Sequence, residues 1–375
     1  MLSVENGLRS HDAANAWRWR LGTFTSSEIA PTGDFAMTHE TQSPVEIPDE
    51  LKLTMHLEAI FMPFATNERR KLYEPNQFQN AKFVHYTTAE AALGIITDKR
   101  LWLRNATCMT DYREVQHGFA MLNKFFAAEA KRATFTDALD ACHPGAAVEA
   151  ITLFNRWWGD LQSQTFIASI SVHDDNTEDR HGRLSMWRAF GGANPRVALV
   201  FRVPWYTGTA RTLNVMFSPV AYFRDDEVEA EIQSVIKNIS NQADFIRSTD
   251  RAQVISTVFS MLVAGVLCLK HEGFREEREW RLIYGPKRNP SPLMEAERET
   301  KIIGAVPQLI YKMPLDASVA PEVAGLDVAR IFDRLIIGPS QYSLAMYQAY
   351  TAALAKAGVV DAGARVVFSG IPIRA

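Results

Sequence analysis

The sequence predicts an α+β fold whose core is a mixed, mainly antiparallel sheet with helical insertions. Three observations favour this class. The chain has 375 residues, of which 47% are hydrophobic, and this is enough to build a large core. Its predicted helices and strands do not alternate regularly, as they would in a doubly wound sheet. It also has no G-x-G-x-x-G or G-x-x-x-x-G-K-[ST] loop, so dinucleotide-fold dehydrogenases and P-loop nucleotide hydrolases lose support.

Local patterns give the order of the elements. Strands are predicted where β-branched and aromatic residues cluster, and helices where apolar residues recur every three to four positions. The predicted helices lie at 51–72, 88–98, 111–131, from Gly145 to about 160, 226–239, 250–270 and 341–357. The predicted strands lie at 82–86, 100–104, 165–172, 196–203, 213–223, 278–284, 307–311, 334–338 and 365–371.

Two helix starts have a capping signature. Thr87 with Glu90 forms a T-x-x-E box, and Asp111 with Glu114 repeats the same logic. In such a box the two side chains satisfy amide groups of the first turn that have no partner within the helix. We therefore expect a helix to begin at each of these positions.

The ends and the most apolar segment of the chain set its organisation. Residues 1–50 lack sustained periodicity and the apolar core of a signal peptide, so they predict a loose tail before one domain over 51–375. The apolar run 254–269 is shorter than the ~20 residues that cross a bilayer, and it predicts a helix buried on most sides. No membrane partner is expected.

Charge and cysteine content exclude further classes. The net charge of −3 and the isoelectric point near 6.3 give no strong signal for non-specific nucleic-acid binding. Cys108, Cys142 and Cys268 are far apart and predict neither a zinc site nor a disulfide framework. A reducing cytoplasm is the expected location.

His85 lies where the strand at 82–86 should open into the following helix. A side chain at such a junction is held by packed backbone on both sides and can face a cleft, which suits ligand binding. The alternative is a histidine that only bonds a nearby carbonyl. From this residue alone, the structural role is favoured.

Several motifs in order resemble one family. After the HYTT sequence at His85 come NATCMTDYREVQHGF (105–119), LSMWRAFGG (184–192), RVALVF (196–201), GFREEREWRLIY (273–284) and RLIIGPS (334–340). Together they resemble the bacterial domain-of-unknown-function 2971 family (DUF2971), over about residues 80–345. The resemblance does not by itself supply a function.

A more distant resemblance bears on chemistry. A strand ending in histidine and followed by tyrosine or threonine, then an A-L-x-x-I-I helix and a second strand, is similar to the first NAD-binding motif of ADP-ribosyltransferases, closest to the DarT-like toxins. This implies an ADP-ribosyltransferase-like sheet, NAD as substrate, and use in toxin or phage-defence systems. It also implies that His85, with Tyr86 and Thr87, contacts NAD, and that a late strand supplies the glutamate.

Glu279 is the match for that glutamate, with Glu277 as the second catalytic candidate and Glu276 behind both. In an extended strand, Glu277, Glu279 and Arg281 share one face. NAD cleavage passes through an oxocarbenium-like ribosyl cation, which a carboxylate stabilises. Arg281 is a candidate NAD contact. The alternative, given about even weight, is an edge strand whose charges pair in water.

The middle motif supplies the remaining candidates. Ser185, Trp187 and Phe190 are predicted to line the NAD cleft, with Trp187 or Phe190 stacking on nicotinamide. Ordinary core packing explains such aromatic residues at least as well.

Residues 173–181 are rich in metal-ligand types but fail the calcium-loop pattern, because Asp179 stands where that loop needs glycine. No metal is expected there.

Taken together, the sequence predicts an NAD-dependent ADP-ribosyltransferase whose acceptor is open among DNA, RNA, protein and a small molecule. The alternatives are a non-catalytic module of the same fold that binds a nucleotide or a partner, and an NAD glycohydrolase.

Overall fold

The computed structural model describes residues 49–76, 80–108, 113–189, 194–204 and 212–372. The helices are α1 (Asp49–Phe61), α2 (Pro63–Tyr73), α3 (Ala89–Asp98), α4 (Arg113–Ala127), α5 (Glu129–Asp140), α6 (Ala146–Ser163), α7 (Leu184–Ala189), α8 (Asp225–Asn241), α9 (Ala243–Ser248), α10 (Arg251–Leu267), α11 (Pro292–Ala296), α12 (Val328–Ile331) and α13 (Ser343–Lys356). The strands are β1 (Asn80–Thr88), β2 (Arg100–Asn105), β3 (Phe166–Val172), β4 (Arg196–Pro204), β5 (Met216–Pro219), β6 (Glu279–Tyr284), β7 (Arg298–Ile303), β8 (Val306–Pro314), β9 (Phe332–Ile337) and β10 (Val366–Phe368).

The ten strands of the described residues belong to one sheet. Their order is β10-β9-β4-β1-β3-β2-β8-β7, with β6 on β3 and β5 on β6. Among the described strands, β10 and β9 pair in parallel and the named pairs otherwise run antiparallel. The prediction of a mixed, mainly antiparallel sheet with helices around it is therefore confirmed.

The sheet forks at β3. Its residues 166–171 pair with β6 along one edge. The other edge is shared, because Ser171 and Val172 pair with β1 whereas Phe166 and Ile167 pair with β2. A strand has only two hydrogen-bonding edges, so β1 and β2 must diverge from the same edge of β3. Residues 168–170 lie in the angle between them, and α3 connects the two branches.

The two faces of the sheet bury separate cores. Ile167 of β3 and Ile283 of β6 pair with each other and pack against a layer built from α1, α4, α5, α6, α8 and α10. Their neighbours Phe166 and Tyr284 also pair, but they pack on the opposite face with α3, α12 and α13. This alternation places Ser169, which pairs with Arg281, on the face covered by the helical layer.

Helix α10 confirms the interpretation of the apolar run 254–269. Eight of its residues are buried, from Val254 to Leu267. No helix among the described residues is long and apolar enough to cross a membrane. Gly118 of α4 lies against this helix so closely that a Cβ there would overlap the carbonyl oxygen of Val266. The glycine thus sets the distance between α4 and α10.

Several predicted boundaries were wrong for local reasons. The helix at 51–72 is two helices, because Pro63 has no amide hydrogen to continue α1 and instead begins α2. The cap of α3 is Thr88, whose hydroxyl accepts from the Ala91 amide at 3.1 Å, and the predicted Thr87–Glu90 box is one residue out of register. The helix predicted to reach residue 131 ends at Ala127, and α5 follows it. Strand β7 was not predicted.

Candidate functional site

A buried cluster of charges lies on the helix-covered face beside the fork. Glu279 and Arg281 are alternate residues of β6, so their side chains share that face. Lys270 follows the end of α10, Glu114 lies in the first turn of α4, and Glu277 ends the short helix Glu272–Glu277. We call these five residues the ion cluster. Its three carboxylates and two cations leave one net negative charge.

Glu279 is held by both cations and by β3. Its Oε1 accepts from the Ser169 hydroxyl at 2.5 Å and from Arg281 Nε at 2.9 Å. Its Oε2 has only longer contacts, 3.3 Å to Arg281 Nη2 and 3.4 Å to Lys270 Nζ. The backbone amide of Glu279 donates to the Tyr222 hydroxyl at 2.9 Å. The residue is 6% exposed, and Oε2 is its less engaged oxygen.

The remaining carboxylates surround the same two cations. Lys270 Nζ lies 2.8 Å from Glu114 Oε1 and 2.7 Å from Glu277 Oε2. Arg281 Nη2 also pairs with Glu114 Oε2, and Nη1 donates to the Leu267 carbonyl at 2.5 Å. Glu114 and Glu277 are half-buried, unlike Lys270 and Arg281, which are buried. The cluster therefore approaches the surface on its carboxylate side.

The cluster keeps Glu279 ionised. Burial acts to raise the pKa of Glu279, but the charge and hydrogen bond of Arg281, the charge of Lys270 and the Ser169 hydroxyl outweigh it and hold the pKa at about 2. At Glu114 the balance is reversed, since burial raises the pKa against Arg281 and Lys270. Burial acts to lower the pKa of Lys270, but the charges of Glu279 and Glu114 outweigh burial and raise this pKa above its ordinary value. Lys270 is therefore protonated.

His85 contacts the cluster through Ser169. Its Nδ1 lies 2.9 Å from the Ser169 carbonyl oxygen, in the fork where β1 and β2 diverge from β3, and its side chain is half-buried. Burial lowers the pKa of His85. In the ladder with β4, His85 lies opposite Leu199, whereas Val84 shares the face of Ser171 and Glu279. His85 therefore contacts the carbonyl oxygen of Ser169, whereas Glu279 accepts a hydrogen bond from the Ser169 hydroxyl.

Tyr86 and Trp187, which were predicted to contact NAD, are buried in the core. Trp187 is 5% exposed, packs edge-on against Tyr86 at 5.0 Å between ring centroids, and donates from Nε1 to the His181 carbonyl at 2.8 Å. The backbone at Gly338 closes against the Trp187 ring. The Tyr86 hydroxyl accepts from the Arg183 amide at 2.7 Å. A ring that stacks on a ligand must present a free face, and neither ring does.

The other predicted NAD contacts have different surroundings. Thr87 is half-buried and lies opposite Val197 in the β1–β4 ladder. Ser185 lies on α7, which contacts the short helix that ends at Glu277, and its buried hydroxyl has no hydrogen-bond partner among the described residues. All three side-chain nitrogens of Arg281 donate within the protein, and Nε donates to Glu279. Phe190 and Asp111 lie outside the described residues.

One group in the 173–181 segment has the composition of a metal site. Ligand atoms of His173, Asp175 and Asp179 lie within 4.8 Å of one another. However, Asp175 already pairs with Lys82, and Arg334 contacts both aspartates. Protein cations therefore supply the positive charge that these carboxylates need.

The sequence did not reveal Ser169, Lys270 or Tyr222 as site residues. Ser169 is an isolated hydroxyl in an apolar strand, and its role comes from pairing opposite Arg281. Lys270 carried a usable signal, because it is a single charge directly after the most apolar run of the chain. Glu114 was interpreted as a helix cap, but its carboxylate contacts Arg281 and Lys270.

Comparison with known proteins agrees with part of this interpretation. Residues 186–282 match the family model described as "Protein of unknown function (DUF2971)". The match runs from α7 through most of β6, so it includes Lys270, Glu277, Glu279 and Arg281. It supports the predicted DUF2971 resemblance. Neither a curated protein nor a solved structure matches the chain.

Proposed function

We propose that this protein is an NAD-dependent ADP-ribosyltransferase in which Glu279 stabilises the ribosyl cation as nicotinamide leaves. The observation that carries the proposal is the state of Glu279, an ionised carboxylate fixed through one oxygen by Ser169 and Arg281 with only long contacts at the other. The less engaged oxygen, Oε2, is the one that we assign to a ribose hydroxyl of NAD.

Preorganisation supports this assignment. A carboxylate that stabilises a developing cation must be charged before the reaction and must not need to rotate during it. Arg281 and Lys270 keep Glu279 charged. The hydrogen bond from the Ser169 hydroxyl to Glu279, and the one from the Glu279 amide to the Tyr222 hydroxyl, fix the beginning of β6. Glu114 and Glu277 are half-buried neighbours on the side where the cluster nears the surface. We assign the approach of NAD to that side.

The fork at β3 supports the same location for the NAD site. Divergence of β1 and β2 leaves residues 168–170 of β3 without a strand partner on one edge, and Ser169 is half-buried there. His85 crosses this opening to bond the Ser169 carbonyl. In this proposal His85 is a positioning residue, since it acts on Glu279 through Ser169. The acceptor of ADP-ribose, and a place in a toxin or phage-defence system, remain parts of the proposal.

The test compares two neighbouring glutamates. Glu279→Gln keeps the shape of the side chain and removes its charge, so nicotinamide release and transfer of labelled ADP-ribose to a cell extract should fall roughly 100-fold. Glu276→Gln is the matched control, because the Glu276 side chain is exposed and only its carbonyl has a structural contact, to Arg183. That variant should retain full activity. Circular dichroism at the assay temperature establishes that both variants are folded.

Two results would reject the proposal. One is a wild-type protein that releases no nicotinamide and labels neither DNA, RNA, protein nor small molecules in the extract. The other is a Glu279→Gln variant that remains fully active. Nicotinamide release without any labelled acceptor would instead identify an NAD glycohydrolase.

A specific observation favours a second candidate, a nucleotide-binding or partner-binding module without catalysis. All three nitrogens of Arg281 have protein partners, and the two described aromatic rings predicted to contact NAD are sealed in the core. Such a cluster can serve to join α4, α10 and β6. Tight NAD binding without nicotinamide release, together with a large loss of stability in Glu279→Gln, would support this candidate.

A further inference from the structure

An apolar cavity of about 110 Å³ lies within the helical layer. It is lined by the α1–α2 junction, α4, α8, α10, the end of β5 and the segment that follows it. Its walls include Phe61, Phe64, Leu122, Phe126, Val235 and Leu262. Most of these side chains are buried, and the cavity is partly open to solvent.

The size and the walls define what can occupy this space. Protein interiors are close-packed and contain few voids larger than a water molecule. A cavity lined by aliphatic and aromatic side chains gives water too few partners and stays dry, and one of roughly 150 Å³ binds benzene or xenon. The cavity here is of comparable size. It therefore suits one aromatic ring or a short alkyl group.

Two flexible methionine side chains lie where a ligand could enter the cavity. Met62 and Met261 line the cavity and are only half-buried. Met62 is the single residue between α1 and α2, and its backbone is not helical (φ −133°, ψ 57°). An unbranched thioether fills an irregular gap and moves aside at low cost. Opening at this junction leaves the helices themselves intact.

One carboxylate in the lining determines which ligand charge the cavity accepts. Glu231 lines it on α8, and its Oε1 accepts from the Phe64 amide at 2.7 Å. Burial raises the pKa of Glu231 against this hydrogen bond. A second carboxylate beside Glu231 would be repelled and desolvated, so an anionic ligand is excluded.

We propose that this cavity is a binding site for a small, uncharged, apolar molecule of the size of one aromatic ring. The site is separate from the proposed NAD chemistry, but Cys268 and Leu269 line it and Lys270 follows them directly in the chain. A bound molecule would pack against the segment that presents Lys270 to Glu279. Its binding can be measured without any enzymatic activity.

The experiment uses benzene as the probe and benzoate as its charged analogue. Titration calorimetry of the full chain should show benzene binding and no benzoate binding, and benzene should raise the melting temperature because it binds only the folded state. Ala264→Leu on α10 and Ala65→Leu on α2 each add bulk to the lining and should weaken benzene binding by at least about tenfold. Ala355→Leu makes the same change at an exposed position of α13 and should bind like wild type.

The possible results are distinct. Loss of benzene binding in either folded lining variant, with the control unaffected, supports the site. Absence of benzene binding to wild type overturns the proposal, because the cavity would then be a packing defect that binds no ligand. Unchanged binding in both lining variants places the probe elsewhere and also overturns it. Benzoate binding equal to that of benzene overturns the assigned ligand class.

Discussion

Ser169 shows how one residue joins two parts of the candidate site. Its hydroxyl donates to Glu279 and its carbonyl oxygen contacts His85 Nδ1, so one residue contacts both partners. The side chains of His85 and Glu279 belong to opposite faces of their strands, and yet their positions are coupled. A role for His85 in catalysis must therefore act through geometry.

The chain offers a matched histidine for testing that coupling. His143 is also half-buried and bonds a backbone carbonyl, that of Ile246 at 2.8 Å, far from the fork. His85→Ala and His143→Ala should each reduce the free energy of unfolding by about 1–3 kcal/mol, because a carbonyl loses its partner. Only His85→Ala should also lower the rate of nicotinamide release, measured at saturating NAD. If the two variants lose similar stability and both release nicotinamide normally, His85 is purely structural.

At the scale of elements, the contact between α4 and α10 determines whether the ion cluster forms. Helix α4 carries Glu114, and α10 leads into Lys270, so the distance between the helices sets the distance between these charges. Gly118 permits this approach, because a side chain there would overlap the backbone at Val266. Sequence inspection marks Gly118 only as a poor helix former, and its purpose depends on a helix about 150 residues away.

Two glycine substitutions should have opposite effects. Gly118→Ala should lower the free energy of unfolding by about 1–3 kcal/mol, since α4 and α10 must separate to admit the methyl group. Gly94→Ala on α3 is the control, because nothing lies within 4 Å of a Cβ built there. It should raise the free energy of unfolding by up to about 1 kcal/mol through helix propensity. Urea unfolding measures both, and a stabilising Gly118→Ala would show that the helices are not in close contact.

Across the whole molecule, the sequence predicted local elements better than their assembly. Most of the strands were predicted because β-branched and aromatic runs are local signals, and α10 because its apolar run is long. The fork was not predictable, since it depends on β1 and β2 sharing one edge of β3 over a separation of some 60 to 90 residues. Glu279 could be singled out from its place in the GFREEREWRLIY segment (273–284). Its partners Ser169 and Lys270 could not, because only strand register and the end of α10 bring them together.

The pH dependence of global stability provides a test of the ion cluster as a whole. Glu279 has a pKa of about 2 in the folded protein and 4.5 as a reference value. A carboxyl group with a lowered pKa stabilises the folded state above its unfolded pKa, and this contribution is lost as the pH falls through the folded pKa. For Glu279 it amounts to about 3 kcal/mol at neutral pH. The raised pKa of Glu114 acts in the opposite sense over the acid range.

Comparison of wild type with Glu279→Gln isolates this contribution from all other titrating groups. Wild type should be the more stable protein at neutral pH, and its advantage in the free energy of unfolding should shrink steadily between about pH 4.5 and pH 2, where Glu279 becomes protonated. Urea unfolding at a series of pH values measures the difference directly. An advantage that persists unchanged to the lowest pH would mean that the negative charge of Glu279 is not what holds α4, α10 and β6 together, and the ion cluster would then stabilise the fold by packing alone.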